Sequence, residues 1–129
     1  MATTPFTLSG SLRYPPDDGE PDADRPFSLQ DSFTHERNHT LNLVGAGTKV
    51  VDFGTLTALG AKCVAIEVLP AVAGAVVAPV NVIFNGGVDP IEISQGGFIV
   101  LGSPKPVAGV LGLSVVHTQN ACVKIRLLG

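Results

Sequence analysis

His35-Glu36-Arg37-Asn38-His39 has the H-E-x-x-H spacing in which two imidazoles hold a zinc ion and the glutamate acts as general base. That chemistry needs a helix. Residues i and i+4 then share one face about 6 Å apart, whereas on an extended strand they lie roughly 13 Å apart and one metal cannot join them. The flanks, Phe33-Thr34 and Thr40-Leu41-Asn42-Leu43-Val44, alternate apolar and polar residues as a strand does. No third histidine follows at the metzincin spacing, and the downstream carboxylate Glu67 stands in strand-like sequence. The segment therefore reads as a strand with Phe33, His35, Arg37, His39, Leu41 and Leu43 on one face. A metal-dependent hydrolase built on His35, Glu36 and His39 is the remotest reading of this chain.

Other chemically suggestive stretches lead to the same place. Asp17-Asp18-Gly19-Glu20-Pro21-Asp22-Ala23-Asp24 concentrates carboxylates, but the EF-hand ligand spacing and its closing glutamate are missing, so it reads as a solvated acidic loop. Gly45-Ala46-Gly47-Thr48-Lys49 inverts the Gly-Lys-Ser/Thr order of a phosphate loop and has no helix after it. It reads as a turn between strands. Cys63 and Cys122 read as free thiols. His117, five residues before Cys122, reads as a surface histidine beside a packed thiol rather than as the base of a cysteine nucleophile. No catalytic, cofactor-binding or metal-binding residue is assigned, and no cofactor is expected.

The elements that would position these residues are almost all strands. Hydrophobic residues make up 45% of the 129 and aromatics only 5%, so the core must be filled with Val, Ile, Leu and Ala, of which the β-branched ones favour strands. Fifteen glycines and ten prolines suit many short strands joined by tight turns. Val80–Phe84, the turn Asn85-Gly86-Gly87 and Ile91–Ile93 make a hairpin. Phe98–Leu101 follows the second punctuation, Gln95-Gly96-Gly97, and continues a meander. Thr48–Phe53 reads as a strand, and Thr57–Gly60 as a turn or single helical turn. Ala61–Leu69 reads as a strand with Val64, Ile66 and Val68 on one face. Val110–His117 sets Leu111, Leu113 and Val115 inward. Ala121–Leu127 sets Val123, Ile125 and Leu127 inward, with Lys124 and Arg126 outward. Ending on a strand, the chain is expected to need it to complete a sheet.

The expected fold is an all-β antiparallel sandwich or jelly-roll-like domain of about seven or eight strands over residues 33–129, preceded by an extended, acidic, Pro-rich arm over residues 1–32, in which Phe6–Tyr14 reads as a first short strand stopped by Pro15-Pro16. Charge divides the same way. The arm carries six acids and two bases, and the body five acids and six bases, out of a net charge of −3. Scattered bases with few aromatics argue against a nucleic-acid groove. No apolar run approaches the ~20 residues that span a bilayer, and no leader precedes Phe6, so the chain is expected to be made in a cytoplasm and to stay soluble. Ala71–Pro79 is unusually apolar for a loop and reads equally as a contact surface or as a loop tucked over one end of the sandwich.

The succession Val80-Asn-Val-Ile-Phe-Asn-Gly-Gly87, Pro90-Ile-Glu-Ile-Ser-Gln-Gly-Gly-Phe-Ile-Val-Leu-Gly-Ser-Pro104, Gly112-Leu-Ser-Val-Val-His-Thr118 and Val123-Lys-Ile-Arg-Leu-Leu-Gly129 resembles small virion structural proteins of tailed bacteriophages. The resemblance implies a non-enzymatic protein of the particle, foremost a capsid decoration or accessory head protein. Such a protein is a homo-oligomer, expected to be a trimer, and binds the major capsid protein or other virion proteins. It binds neither nucleic acid nor membrane. The alternative is a tail or neck structural protein, such as a receptor- or glycan-binding module on a spike or fibre.

Overall fold

Alternating side chains and glycine-marked turns resolve into ten antiparallel strands and one helical turn in the computed structural model, which describes residues 3–14, 23–70, 78–103 and 110–129. In chain order these are β1 (Thr4–Tyr14), β2 (Ala23–Phe33), β3 (Glu36–Leu43), β4 (Gly47–Val50), α1 (Leu56–Leu59), β5 (Cys63–Val68), β6 (Val80–Phe84), β7 (Ile91–Ile93), β8 (Phe98–Gly102), β9 (Leu113–His117) and β10 (Ala121–Leu128). β3-β10-β5-β8 form one sheet, β4-β9-β6-β7 a second, and β1-β2 a separate ribbon. From β3 onward, successive strands switch sheets at every step except β6 to β7. That is the connectivity of an eight-stranded jelly roll, and the all-β sandwich expected from the alternation is the fold.

The core lies between the two sheets. Val64, Ile66 and Val68 of β5 and Val123, Ile125 and Leu127 of β10 face Val80, Val82, Ile93, Leu113 and Val115 of the second sheet in one apolar cluster. Each such side chain contributes about 1.5–3 kcal/mol by leaving water. Leu56 of α1 and Phe53 plug one end of it. β10 is central in its sheet, pairing with β3 through Ile125↔His39 and with β5 through Ile125↔Ile66. Beyond it, the Gly129 carbonyl accepts the N–H groups of Thr34 and His35 at 2.9 Å each.

Three sequence-based expectations are corrected. The meander breaks after β7: β8 pairs with β5 in the other sheet, not with β7. Gly96, at φ +93°, takes a backbone conformation that side chains resist, and its N–H reaches Val68 O at 2.8 Å. The chain is thereby redirected across the sandwich. The strand read over Thr48–Phe53 stops at Val50. β9 begins only at Leu113, so Leu111 lies outside the strand and is exposed. The apolar Ala71–Pro79 stretch lies largely outside the described residues, as do the acidic residues 17–22.

The Asn85-Gly86 turn is as expected in conformation, with φ +55° and +66°. Its second role was not visible in the sequence. Asn85 Oδ1 accepts the N–H groups of Leu111 (2.7 Å) and Gly112 (3.2 Å), tying the β6–β7 hairpin to the approach of β9. Asn85→Ala, losing these bonds at a left-handed position, is expected to destabilise the fold by about 2 kcal/mol. Asn85→Gly, which relieves the backbone, is expected to lose about half that. Urea unfolding of the two variants checks the order.

The first short strand read over Phe6–Tyr14 is there as β1, but the rest of the segment read as an extended arm over residues 1–32 contributes β2, and the two strands pair as a ribbon, with Leu8↔Leu29, Gly10↔Phe27 and Leu12↔Arg25 in register. Strand alternation gives this ribbon one largely apolar face, on which Phe6, Phe33, Leu8, Leu29, Phe27 and Leu12 stand together with the positions of Asp31, opposite Phe6, and Arg25, opposite Leu12. The opposite face holds Thr7, Gln30, Ser9, Ser28 and Ser11. Pro5 and Pro26 are tolerated because both strands of a two-stranded ribbon are edges.

Candidate functional site

The residues with chemical potential are engaged in structural ties. Glu36–Leu43 is a strand, so the H-E-x-x-H segment lacks the helical presentation that zinc chemistry requires. His39 Nε2 donates to the carbonyl of Asp52 at 2.7 Å, and His35 Nδ1 lies 2.8 Å from Thr34 Oγ1. Arg37 pairs with the Asp52 carboxylate, whose other oxygen accepts Gly54 N–H at 2.9 Å. Gly54 is needed here: at φ +54°, it lies against the Arg37 guanidinium, 3.1 Å from where a Cβ would stand. The Gly54 N–H, then the Arg37 charge, holds the Asp52 carboxyl below the ordinary carboxylate range.

A carboxyl with a depressed folded-state pKa stabilises the fold above its unfolded value, and that contribution is lost as pH falls through the lowered folded value. Asp52→Asn is therefore expected to lower the thermal midpoint at neutral pH. The difference from wild type should shrink as pH falls through that lowered value. Melting curves over that range check it.

His117, expected on the surface, is buried. Its partner across the ladder is Gly47, whose missing side chain leaves the ring room, and Nδ1 donates to Gly45 O at 2.6 Å. The histidine thus locks the turn before β4 and is not paired with a thiol. Cys63 and Cys122 are both free. On β10, Cys122 lies opposite Asn42, and Leu128 opposite Cys63.

What remains for function is surface. In the β3-β10-β5-β8 sheet, Gly102, Val100 and Phe98 alternate along the outward face of β8, opposite Cys63, Ala65 and Glu67 of β5. Exposure rises steeply along this row: Cys63 is buried, Ala65 half-buried and Glu67 exposed. The ribbon accounts for the gradient. Leu8 and Leu29 reach Gly102 so closely that a Cβ there would stand 2.8 and 2.9 Å from their Cδ2 atoms. The base of the ribbon is held by Lys62, whose Nζ donates to Ser32 O at 2.9 Å and lies 3.6 Å from Asp31 Oδ1.

These contacts place the ribbon across one end of the sheet, from β3 past β10 and β5 to β8. Four strands at about 4.8 Å spacing span about 14 Å, close to the roughly 13 Å from Phe33 to Leu29. Past Leu29 the ribbon runs beyond the sheet. Phe27 and Leu12, still on its apolar face, are 53% and 61% exposed. The uncovered part of the sheet face matches them: Phe98 is 71% exposed, and with Val100, Glu67, Lys124 and Arg126 it lines a shallow depression of about 380 Å³.

The sequence analysis found the outward bases Lys124 and Arg126 and missed the ribbon's apolar face. The signal was present in Phe6-Thr-Leu-Ser-Gly-Ser-Leu12 and Phe27-Ser-Leu-Gln30, both alternating, but the neighbouring acids and prolines masked it.

The fold and this surface define an eight-stranded jelly roll bearing a projecting amphipathic hairpin. No known protein family, curated protein or solved structure matches the chain.

Proposed function

We propose that the chain is a non-enzymatic structural protein of a tailed-phage virion, of the capsid decoration or accessory head type, which acts by attachment to the major capsid protein. The observation that carries this reading is the ribbon: a rigidly anchored hairpin whose apolar face continues past the body with Leu12 and Phe27 uncovered. Exposed apolar surface rimmed by polar residues is the mark of a docking element. Placement by many such contacts on a symmetric shell lets weak individual attachments add up. The resemblance of about residues 33–129 to small virion proteins supports the same reading. So does the jelly-roll architecture, by fold analogy alone, since it recurs in viral capsid proteins.

Jelly rolls also occur in lectins, and the exposed Phe98 beside Glu67, Lys124 and Arg126 favours a glycan-binding tail or neck module as the second reading. Co-sedimentation of the purified chain with particles of the phage that encodes it, and with its isolated capsids and tails, separates the two. Saturable binding to capsids is the expected result. Binding confined to tails moves the protein to the second reading, and binding to neither overturns both.

A further inference from the structure

We propose that two copies of this chain pair edge to edge through β8, each laying its ribbon across the outward sheet face of the other. Two features of the molecule converge on a second copy as the occupant of its uncovered apolar surface.

The first is the free edge of β8. Among the described residues this strand pairs only with β5. Gly97 O accepts Val68 N–H, and Ser103 N–H donates to Lys62 O, so the odd-numbered residues bond inward to β5. By the alternation of an antiparallel ladder, the N–H and C=O groups of Phe98, Val100 and Gly102 point to the open edge. An open edge of this kind is a template for another strand. The same edge on a second copy meets it in antiparallel register about a two-fold axis at Val100, with Gly102 opposite the partner's Phe98. Such an interface is isologous and closes at two copies.

The second feature is the direction of the ribbon. It already docks on its own sheet at Gly102 through Leu8 and Leu29, and continues past the β8 edge. Six residues from Leu8 to Tyr14 extend about 20 Å. In the paired arrangement, the partner's β8, β5 and β10 lie about 5, 10 and 14 Å beyond Gly102 at the usual strand spacing. Phe27, about 7 Å past Leu29, then meets the partner's Phe98, and Leu12 passes over the partner's β5 toward its β10. The interface is thus a direct continuation of the contact that the ribbon makes with its own body. Gly10 is part of the fit: the tip of the Phe27 ring lies 2.6 Å from where a Cβ on residue 10 would be, so the ring covers the glycine and presents its outer side.

This pairing replaces the trimer implied by the phage resemblance, and it stands independently of the virion reading. A chain that pairs but binds no capsid supports it while overturning the proposed function.

Light scattering after size exclusion, followed by sedimentation equilibrium, tests it on the full chain. Wild type is expected at twice the monomer mass. Phe27→Asp and Phe98→Asp, both at exposed positions, are each expected to raise the dimer dissociation constant at least about ten-fold, as loss of an aromatic anchor does. Val100→Pro, which removes an edge N–H that no described residue accepts, is expected to do the same while leaving the melting transition of the monomer intact. Mixing the Phe27→Asp chain with a Phe98→Lys chain restores one Phe27–Phe98 contact and sets Asp against Lys at the other, so the mixture is expected to dimerise more tightly than either variant alone. A wild-type monomer at tens of micromolar or a trimer overturns the proposal. A dimer indifferent to all three variants, or a mixture no tighter than its parts, overturns it as well.

Discussion

Ile125→Asp is expected to leave the protein unfolded, while Lys124→Glu and Arg126→Glu, one residue to either side, leave its stability within about 0.5 kcal/mol. Ile125 is 1% exposed, in the strand that joins β3 to β5 and between two other inward residues, Val123 and Leu127. Replacing it removes about 2–5 kcal/mol of packing and sets a carboxylate where nothing pairs with it. The sum approaches the whole stability of an ordinary domain, roughly 5–15 kcal/mol. Lys124 and Arg126 project from the opposite side of the same strand into solvent. Far-UV circular dichroism and urea titration of the three variants read the difference directly. Equal damage from all three would mean that the faces of β10 are assigned the wrong way round.

That contrast was legible in the sequence because strand alternation is local. The inward sets Val64-Ile66-Val68 and Val123-Ile125-Leu127 follow from a period of two, and the structure places all six in the core. The positive-φ turn at Asn85-Gly86 was equally local. Sheet membership was not. Gly96 and Gly97 mark a turn in the sequence, but whether β8 returns beside β7 or crosses to β5 depends on hydrogen bonds to Val68, twenty-eight residues upstream of Gly96. The burial of His117 depended in the same way on having Gly47 for a cross-strand partner. For the candidate surface, the limit was pairing. Phe6, Leu8 and Leu12 alternate on a first short strand in the sequence, but nothing there shows its partner until β2 is aligned with β1. They then share a face with Leu29, Phe27 and Phe33.

The aligned ribbon also explains a burial that the body alone does not. β5 presents Cys63, Ala65 and Glu67 outward, yet only the end nearest Gly102 is covered. Burial at that end pushes the Cys63 thiol above its ordinary pKa, because the thiolate is poorly solvated there. A raised folded-state value means that this contribution to stability is full below the thiol's ordinary pKa and is lost as pH rises through the raised one. The thiol is thus a reporter of whether the ribbon is seated.

Leu8→Ser with Leu29→Ser, in a Cys122→Ser background that leaves Cys63 as the single thiol, is expected to speed alkylation of Cys63 by a neutral reagent roughly 30-fold. The two leucines are half-buried on Gly102, and trimming both costs about 2 kcal/mol of apolar contact, charged to opening of the ribbon rather than to unfolding of the body. The Lys62 clamp at Ser32 and the inter-sheet core are untouched, so the main melting transition is expected to hold its place while the labelling rate changes. Uncovering also lets the thiol titrate closer to its ordinary value, so the rate is expected to climb at lower pH than in the parent. A labelling rate unchanged from the parent would mean that the ribbon does not guard Cys63, and that its seat on Gly102 contributes little to anchoring it.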